Sequence, residues 1–432
     1  MKTLIKNALV IDPINQLEGK YDLLIEDSKI RKIKREIREN NCEVIDLKET
    51  ILLPGLIDMH THLREPGFEE KETIKTGCEA AAAGGFTTIA CMANTDPVAD
   101  NPATIEYIKA KAEAGVVKVI PVGSITKDCQ GERLAEIGFL ARSGVTALSD
   151  DGNPVMNSEI MRRAMEYAVS FGLTIIDHCE DLNLAGDGVM NEGYYSTILG
   201  LKPVPAVAEE VMIARDILLA ELTGARLHIA HLSTARGLEL VARAREKGLK
   251  ITAEVTPHHL ILTDEAVKGY NPDTKVNPPL RSQEDVDKLK QGLKEGLIDV
   301  IATDHAPHTF EDKLGEYDYA ASGISGLETA VALIHDRLIR QGLIGWRDLV
   351  KLMVANPARI LGLDAEGIKE GARADLTCFD PAREWEVEPA AFKSKGKNTP
   401  FVGWKLRGKV ILTMVEGKIV YDDRGGQSEI IY

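Results

Sequence analysis

Short apolar runs recur along the middle of the chain, and each is followed by a segment with the spacing of an amphipathic helix. Eight such runs begin at residue 51: ILLPGLIDMH, TTIACM, VKVIPVG, VTALSD, LTIIDH, RLHIAH, LKITAEV and LIDVIATD. Segments between them, such as NPATIEYIKAKAEAG and DVDKLKQGLKEG, carry apolar residues three to four apart, with Asn or Asp near the start and Gly at the end. That spacing and those caps predict helices.

Nearly continuous apolar strands that alternate with helices predict a parallel sheet whose outer face is covered by the helices. Eight strand and helix units in about 300 residues favour a closed barrel over an open sheet. We therefore predict an α/β fold in which residues 55–363 form a (β/α)8 TIM-like barrel.

The two ends of the chain show a different pattern. Residues 1–54 contain short alternating stretches such as TLIKNALVID and YDLLIED, and residues 364–432 contain DLTCFD and WKLRGKVILTMVEGKIVY. Alternation of apolar and polar positions predicts strands with one buried face. Because each end is small for an independent core, we expect both ends to pack together as one small composite β-sandwich domain beside the barrel.

The composition of the chain limits the classes of protein to which it can belong. Hydrophobic residues make up 44% of the 432 residues, and no apolar stretch reaches the ~18 residues of a membrane span. The formal net charge of −15 disfavours binding to nucleic acids. The six Cys include no CxxC pair, and the amino terminus lacks the pattern of a secretory signal. These features predict a soluble cytoplasmic protein with free thiols, no nucleic-acid partner and no membrane partner.

The active site of such a barrel lies at the carboxyl ends of its strands, so we expect metal ligands among the polar residues that follow each apolar run. They are His60 and His62 after the first run, Asp150 and Asp151 after the fourth, and His178, His231 and Asp304 after the fifth, sixth and eighth. Side chains alternate along a strand, so His60 and His62 face one side and only Thr61 faces away. Two imidazoles at this spacing favour a shared divalent cation, although separately packed core histidines would explain the pair alone.

The same alternation sorts the other histidines. His228 is three residues before His231 and faces the opposite way, so we expect it to be structural. His258 and His259 follow the seventh run, where we expect packing or support of the ligands. His335 lies in a helical stretch and is expected on the surface or in the core.

Four His and two Asp exceed the three protein ligands of a typical catalytic zinc, so two zinc ions fit the set better. A bridging group is then needed between them. The fourth run supplies Asp, and there is no Lys between Lys127 and Lys202 that could supply a carbamylated bridge at this strand. A carboxylate is therefore the predicted bridge.

Two motifs carry a resemblance that spans essentially the whole chain: DMHTHLREPG at 58–67 and ATDHAPHTFEDK at 302–313. The chain resembles the amidohydrolase superfamily and, within it, the bacterial dihydroorotases that have an aspartate at the bridging position. The second motif matches the family's A-[ST]-D-x-A-P-H-x4-K pattern in full. The first motif departs from the family's usual sequence at Thr61, where a small aliphatic residue is more common.

The resemblance implies a metal site and a substrate site. Residues of the first zinc site would be His60, His62 and Asp304, those of the second His178 and His231, with Asp151 as the bridge. Asp304 would also be the catalytic residue that shuttles the proton. The implied substrate-binding residues are His62, Arg64, Asn94, Asn277 and His308, with backbone groups near Ser322 and Gly323. Arg64 would bind the substrate carboxylate through its planar guanidinium.

The implied activity is the zinc-dependent interconversion of N-carbamoyl-L-aspartate and L-dihydroorotate in the de novo synthesis of pyrimidines. A dihydropyrimidinase, hydantoinase or allantoinase is one alternative, against which Asp151 and Arg64 both argue. An inactive homologue that serves as a scaffold for aspartate transcarbamoylase is another, against which the complete ligand set argues. A homodimer and a complex with aspartate transcarbamoylase are both left open.

A long loop, TFEDKLGEYDYAAS at 309–322, follows the second motif and ends close to Gly323 and Gly326. Long loops beside a site, with glycine at their ends, often close over a substrate. We predict that this loop is a mobile lid.

Overall fold

The computed structural model describes residues 2–432 as nineteen strands and fourteen α-helices. The strands are β1 (Lys2–Asp12), β2 (Leu17–Glu26), β3 (Lys29–Lys34), β4 (Glu43–Asp46), β5 (Ile51–Pro54), β6 (Leu56–Thr61), β7 (Phe86–Cys91), β8 (Lys118–Pro121), β9 (Ala147–Leu148), β10 (Thr174–Asp177), β11 (Met190–Asn191), β12 (Pro203–Val204), β13 (Arg226–Ile229), β14 (Ile251–Val255), β15 (Val300–Ile301), β16 (Leu376–Glu386), β17 (Lys405–Val415), β18 (Lys418–Asp422) and β19 (Glu429–Ile430).

The helices are α1 (Ile74–Gly84), α2 (Pro102–Ala112), α3 (Ile137–Arg142), α4 (Ser158–Phe171), α5 (Leu182–Ala185), α6 (Tyr194–Leu199), α7 (Val207–Thr223), α8 (Ala235–Glu246), α9 (Pro257–Ile261), α10 (Gln283–Glu295), α11 (Phe310–Lys313), α12 (Ala330–Ile334), α13 (Trp346–Val350) and α14 (Asn356–Leu361). Short π-helical turns, His335–Ile339 and Lys351–Ala355, extend α12 and join α13 to α14.

Eight parallel strands form the barrel. Strands β6, β7 and β8 form one sheet, and β9, β10, β13, β14 and β15 form the other. Parallel bridges between Gly123 and Leu148 and between Thr61 and His305 join the two sheets at both seams. The barrel interior is filled mainly by small and medium apolar side chains: Met59, Ala90, Val122, Ala147, Ile176, Ala230 and Val300. The predicted (β/α)8 barrel is therefore confirmed.

The first apolar run contains two strands, which lie on either side of the predicted domain boundary between residues 54 and 55. It divides at Gly55 into β5, which belongs to the terminal sheet, and β6, the first strand of the barrel. Gly55 lies so close to Thr87 that a Cβ there would collide with its side chain. Nothing in the apolar pattern marks this change of sheet, because both halves are fully buried.

The helix caps follow the sequence signals. The Asn101 side chain accepts a hydrogen bond from the Thr104 N–H at the start of α2, and the Ser282 side chain accepts one from Asp285 at the start of α10. Gly296 ends α10 in the left-handed conformation, with φ 74°. These groups satisfy backbone donors and acceptors that a helix end would otherwise leave without partners.

Strands from both ends of the chain form one nine-stranded sheet, in the order β19-β18-β17-β16-β5-β1-β2-β3, with β4 also paired to β1. A register shift between Ile5 and Ala8 lets β1 pair with β4 along its first half and with β5 along its second. The two halves of the sheet enclose an apolar core that includes Leu23, Leu376 and Leu412. The predicted β-sandwich built from both termini is confirmed.

Two further expectations concern the thiols and the membrane. All six cysteines are free; five are buried, and Cys42 is half-buried. Within residues 2–432, no helix combines the length and the apolar character needed to cross a membrane.

Candidate metal centre and substrate site

Two triads of metal-ligating side chains share Asp151 at the carboxyl end of the barrel. One contains His60 and His62, the other His178 and His231, and within each triad the candidate ligand atoms lie within 4.8 Å of one another. Asp151 Oδ1 is 3.4 Å from His60 Nε2 and 3.3 Å from His231 Nε2. One carboxylate thus faces histidines of both triads, as a bridging ligand must.

The carboxylate of Asp304 lies beside the first triad. Its Oδ1 is 3.1 Å from His62 Nε2 and 3.5 Å from His60 Nε2. Asp150 faces away from the cluster and accepts hydrogen bonds from the backbone N–H groups of Ile125 and Thr126. The structure therefore brings together all six residues that the sequence proposed as ligands.

The hydrogen bonds behind the histidines decide which ring nitrogens face the cluster. His60 Nδ1 donates to Glu254 Oε1 at 2.5 Å, and His62 Nδ1 donates to Asn94 Oδ1 at 2.9 Å. Both Nε2 atoms are consequently free to act as ligands. His178 is turned the other way, since its Nε2 faces Glu180 at 3.3 Å and its Nδ1 faces Asp151 at 3.7 Å.

Several polar atoms inside the cluster lack hydrogen-bond partners among the described residues. They include His60 Nε2 and Asp151 Oδ1, which are buried and point at each other. Buried polar atoms are rarely left without a partner, and a metal ion bound between these two would satisfy both. Imidazole and carboxylate together are suitable ligands for zinc. The residues present therefore fit divalent metal ions.

The pKa values of the two carboxylates also favour bound cations. Burial would raise the pKa of Asp151, but His60, His178 and His231 hold it well below its ordinary value. Burial likewise opposes ionisation of Asp304, yet His62 and His60 lower the pKa of Asp304 to about 2. Both carboxylates are therefore charged at neutral pH and need positive charge beside them, which divalent cations would supply.

Three residues at the mouth adopt left-handed backbone conformations although none is glycine: Arg64 (φ 61°), His231 (φ 29°) and Asp304 (φ 49°). Such conformations cost about 1–2 kcal/mol for residues with a Cβ. Their concentration at the strand ends is typical of functional sites, where the surrounding structure holds side chains in required positions.

Glu254 was missed by the sequence reasoning. It lies near the end of β14, is fully buried, and contacts His60, His228 Nε2 (3.1 Å) and the backbone N–H of His231 (3.2 Å). The signal was present, since LKITAEV places one acidic residue in an otherwise apolar strand. His228 lies outside the metal cluster but shares Glu254 with His60, and Thr252 contacts its other nitrogen.

Arg64 lies beside the cluster with part of its guanidinium engaged. Its Nε donates to the Pro307 carbonyl at 3.2 Å, and its Nη2 lies 3.3 Å from His308 Nε2. Within residues 2–432, its Nη1 makes no hydrogen bond. His308 Nε2 in turn donates to the Ser322 carbonyl at 2.8 Å.

The two predicted asparagines lie against the metal cluster. Asn94 accepts from His62 and donates to the Asp151 carbonyl at 3.2 Å. Asn277 donates to Glu180 at 3.0 Å, which makes Glu180 a second carboxylate that sequence reasoning missed. The Gly323 N–H donates to the Lys275 carbonyl at 2.9 Å. These contacts place the predicted substrate residues around one mouth, and their roles toward a substrate stay predictions.

The remaining histidines are buried. His259 contacts Thr256 Oγ1 (2.8 Å) and the Pro278 carbonyl (3.0 Å), whereas His258 Nε2 has no partner in the described chain. His335 stacks on Trp346, with ring centroids 5.4 Å apart, so it belongs to the core.

The predicted lid contains the short helix α11. Lys313 at the end of α11 is buried, and its Nζ donates to the carbonyls of Ala321 (2.7 Å) and Pro272 (3.1 Å). These bonds tie the beginning of the segment to its end, while Phe310, Leu314 and Tyr319 are exposed. Its movement stays a prediction.

Comparisons with known proteins agree with this fold. Residues 212–421 match the amidohydrolase family model, and residues 49–237 match a model described as dihydro-orotase-like. The crystal structure of a dihydropyrimidinase from Brevibacillus agri superposes with a TM-score of 0.86 at 25% identity, covering 97% of this chain and 95% of that one. Fold and cluster together define an amidohydrolase.

Two relatives of higher sequence identity narrow the class further. A dihydroorotase of Syntrophus aciditrophicus is 53% identical over 426 residues, which cover 98% of this chain and 100% of that protein. A dihydroorotase of Caldanaerobacter subterraneus subsp. tengcongensis is 55% identical over 422 residues, covering 98% and 97%. The chain belongs to the dihydroorotase family, as the two sequence motifs indicated.

Proposed function

We propose that this protein is a zinc-dependent cyclic amidohydrolase that interconverts N-carbamoyl-L-aspartate and L-dihydroorotate in de novo pyrimidine synthesis. The observation that carries the proposal is the complete cluster at the barrel mouth with Arg64 beside it. The cluster provides ligands for metal ions, and the arginine provides a binding group for an anionic substrate. Membership of the dihydroorotase family supports the same substrate.

We infer that two zinc ions bind in the cluster. His60, His62 and Asp304 would hold one ion, His178 and His231 the other, and Asp151 would bridge them. The Nε2 atoms of His60 and His62, which face the cluster, and the partnerless Oδ1 of Asp151 support this assignment. Zinc bound here would supply Lewis acidity, which polarises the ring amide carbonyl and activates water for attack.

Asp304 is the proposed proton carrier. It is charged at neutral pH, because the neighbouring histidines lower its pKa to about 2 against the effect of burial. In hydrolysis it accepts a proton from the attacking water and delivers it to the ring nitrogen as the amide bond breaks. In synthesis it gives and takes the proton in the opposite order.

Arg64 is the proposed partner of the substrate carboxylate. Its Nε donates to the Pro307 carbonyl, which holds the guanidinium in place, and Nη1 is left free. A planar guanidinium binds a carboxylate through two parallel hydrogen bonds. We propose that the remaining substrate contacts come from His62, Asn94, Asn277, His308 and the backbone of Ser322 and Gly323.

The organisation of the chain supports a division into two domains. We propose that residues 55–363 form the catalytic domain and that residues 1–54 and 364–432 form the second domain. Support comes from β5, which ends at Pro54 in the terminal sheet, and from Gly362, which ends α14. We also propose that the protein acts in the cytoplasm; a complex with aspartate transcarbamoylase is left as a prediction.

The proposal is tested by comparing turnover of dihydroorotate, dihydrouracil, hydantoin and allantoin by the zinc-loaded protein, together with elemental analysis. We expect dihydroorotate to be the preferred substrate and two zinc ions to bind per chain. Chelation should abolish activity, and added zinc should restore it. Preference for an uncharged ring would contradict the substrate, and full activity with one metal ion would contradict the two-zinc site.

A further inference from the structure

A segment from the C-terminal part of the chain reaches the mouth of the barrel. Residues 392–399 lie between β16 and β17, two strands of the nine-stranded sheet, as an irregular segment. Ser394, Gly396 and Asn398 are buried, and they alternate with the exposed Lys395 and Lys397. Connecting segments normally lie on the surface, because their buried backbone groups need partners. The buried side of this segment therefore faces groups that hold it in place.

Two carboxylates of the barrel bind the first half of the segment. Glu328 accepts hydrogen bonds from the backbone N–H groups of Lys393 and Ser394, both at 2.9 Å. Glu72 accepts from the Ser394 hydroxyl at 2.5 Å and from the Lys395 N–H at 3.1 Å. Hydrogen bonds to charged groups are stronger than those between neutral groups. The course of the backbone is therefore fixed before the segment reaches its second half.

The second half of the segment touches the loop that follows β15. Gly396 approaches this loop so closely that a Cβ there would lie 2.5 Å from Pro307 Cβ and 2.8 Å from the His308 backbone nitrogen. Glycine fits such an approach because it has no Cβ. The Pro307 carbonyl accepts a hydrogen bond from Arg64 Nε. The segment thus packs directly on His308 and on the support of Arg64.

The side chain of Asn398 makes four hydrogen bonds, which is the full number that an amide can make. Its oxygen accepts from the His308 N–H at 2.9 Å and from the Ser325 hydroxyl at 3.0 Å. Its nitrogen donates to the Ala306 carbonyl at 3.2 Å and to the Gly323 carbonyl at 2.9 Å. These partners fix the orientation of the amide, since two donors face its oxygen and two carbonyls face its nitrogen.

The four partners of this amide belong to two loops of the barrel. One loop carries Asp304 and His308, and the other carries Gly323. The Ala306 N–H donates to the Ile324 carbonyl at 2.9 Å, which pairs the two loops through their backbones. The amide adds a hydrogen bond to each loop at the very residues that are proposed to contact the substrate.

We propose that Asn398 is a positioning residue of the substrate site: its amide sets the distance between the His308 and Gly323 backbones, although Asn398 itself does not touch the substrate. This role rests on the proposed function, in which His308 and Gly323 bind the substrate. A purely structural asparagine would explain the burial alone. All four partners, however, belong to the two loops of the site, and Glu72 and Glu328 already hold the segment. The second domain thereby takes part in substrate binding.

Asn398→Ala removes the amide and leaves the hydrogen bonds to Glu72 and Glu328 in place. His308 and Gly323 would bind parts of the ring that do not react, so their displacement weakens binding of ground state and transition state alike. We expect KM for dihydroorotate to rise by about ten- to a hundredfold and kcat to change by less than about threefold. The zinc content should stay that of the unaltered protein.

Asn356→Ala is the matched control. Asn356 Nδ2 donates to the Asp299 carbonyl at 2.8 Å, just before the start of β15 and thus at the opposite end of the strand from Asp304. Both substitutions remove an amide that binds the backbone, so both should lower the urea midpoint of unfolding. Only Asn398→Ala should change KM. An unchanged KM in Asn398→Ala, or an equal rise in Asn356→Ala, would overturn the proposal.

Hydrogen exchange of the full-length protein, followed by mass spectrometry, reports on the same contact without turnover. The His308 N–H donates to Asn398, so peptides that contain His308 should exchange at least about tenfold faster in Asn398→Ala and at the unaltered rate in Asn356→Ala. Equal exchange in the unaltered protein and Asn398→Ala would contradict the positioning role. Failure of the proposed function would appear instead as no turnover of dihydroorotate by the unaltered protein, in which case KM is compared for the ring that the protein does hydrolyse.

Asn398→Asp covers the case in which the alanine variant fails to fold. The carboxylate keeps an acceptor for the His308 N–H and the Ser325 hydroxyl. It cannot donate to the two carbonyls that the amide nitrogen contacts. KM for dihydroorotate should again rise at least about tenfold. A folded Asn398→Asp variant with unchanged KM would show that the amide does not position the site.

Discussion

Replacement of Arg64 measures how strongly the protein depends on a substrate carboxylate. Arg64→Met removes the guanidinium and keeps a side chain of similar length. Arg64→Lys keeps the positive charge but loses the planar pair of donors. The Pro307 carbonyl accepts a hydrogen bond from Arg64 Nε and holds the arginine in place, so the substrate would meet a preorganised group. We expect both variants to lose activity, and the methionine variant to lose more.

The size of the effect follows from the number of hydrogen bonds. A hydrogen bond to a charged group contributes about 1.5–3 kcal/mol, so a bidentate pair contributes about 3–6 kcal/mol. At 1.4 kcal/mol for each factor of ten, kcat/KM for dihydroorotate should fall by about 10² to 10⁴-fold. The carboxylate is charged in both ground state and transition state, so most of the loss should appear in KM.

The assay compares dihydroorotate with dihydrouracil, a ring of the same kind without a carboxylate. Turnover of dihydrouracil, which is expected to be slow in the unaltered protein, should change little in Arg64→Met. Arg243→Met, on the exposed face of α8, serves as a control and should leave both rates unchanged. Equal losses on the two substrates would refute the reasoning, since they would mean that Arg64 supports the site and does not bind the carboxylate.

Three further substitutions separate proton transfer, ligand support and stability. Asp304→Asn keeps the shape of the side chain but removes its basicity, so kcat should fall by about 10² to 10⁴-fold; a loss below tenfold in protein with full zinc content would contradict its role. Glu254→Gln disturbs the hydrogen bonds behind His60 and should weaken zinc binding by about 10 to 100-fold in competition with a chromophoric chelator, whereas unchanged affinity would exclude this role. Glu328 accepts backbone hydrogen bonds from residues 393 and 394, and burial raises the pKa of Glu328 to about 7. Because this folded-state pKa lies above the unfolded value of 4.5, the associated stability is present below pH 4.5 and is lost as the pH rises through 7. Because this carboxyl is half-buried, the free energy of unfolding should fall by about 2 kcal/mol between pH 4.5 and pH 8. Urea unfolding of Glu328→Gln at the same two pH values should not show this fall. Identical pH dependence of the two proteins would refute this pKa.

The positions of the six cluster residues could be predicted because two features of the sequence can be combined. Apolar runs identify the strands, and the first polar residues after each run lie at the barrel mouth whatever the details of the helices. His178, His231 and Asp304 were found in this way, although they are far apart along the chain. Eight strand and helix units predict a closed barrel, and closure brings the ends of these distant strands together.

Glu254 could not be identified by the same rules. It stands one residue before the end of an apolar strand, where a carboxylate is expected only if something pairs with it. Its partners, His60 and His228, come from two other strands. Strand pairing and register decide whether such groups meet, and neither can be deduced from a single strand's sequence. The orienting contacts of a metal site are therefore harder to predict than its ligands.

Thr61 shows how a residue that faces away from the cluster can still determine its geometry. The ladder between β6 and β7 shifts its register between Asp58 and Thr61, a bulge that side-chain alternation alone does not anticipate. The Thr61 hydroxyl donates to the Ala90 carbonyl at 2.7 Å and so fixes this irregular stretch to β7. On its other side Thr61 bridges to His305, and the His62 N–H donates to the His305 carbonyl at 2.8 Å.

These contacts form the seam between the first and the eighth strand, which carries both histidines and Asp304 of the proposed first zinc site. The ligands on either side of the seam are held at a fixed separation because the backbone between them is bonded on both edges. A small aliphatic residue at position 61 would keep the packing but lose the bond to β7. Thr61 is therefore a structural support of the site: it faces away from the ligand cluster, and its hydroxyl bonds the irregular stretch that carries His60 and His62 to β7.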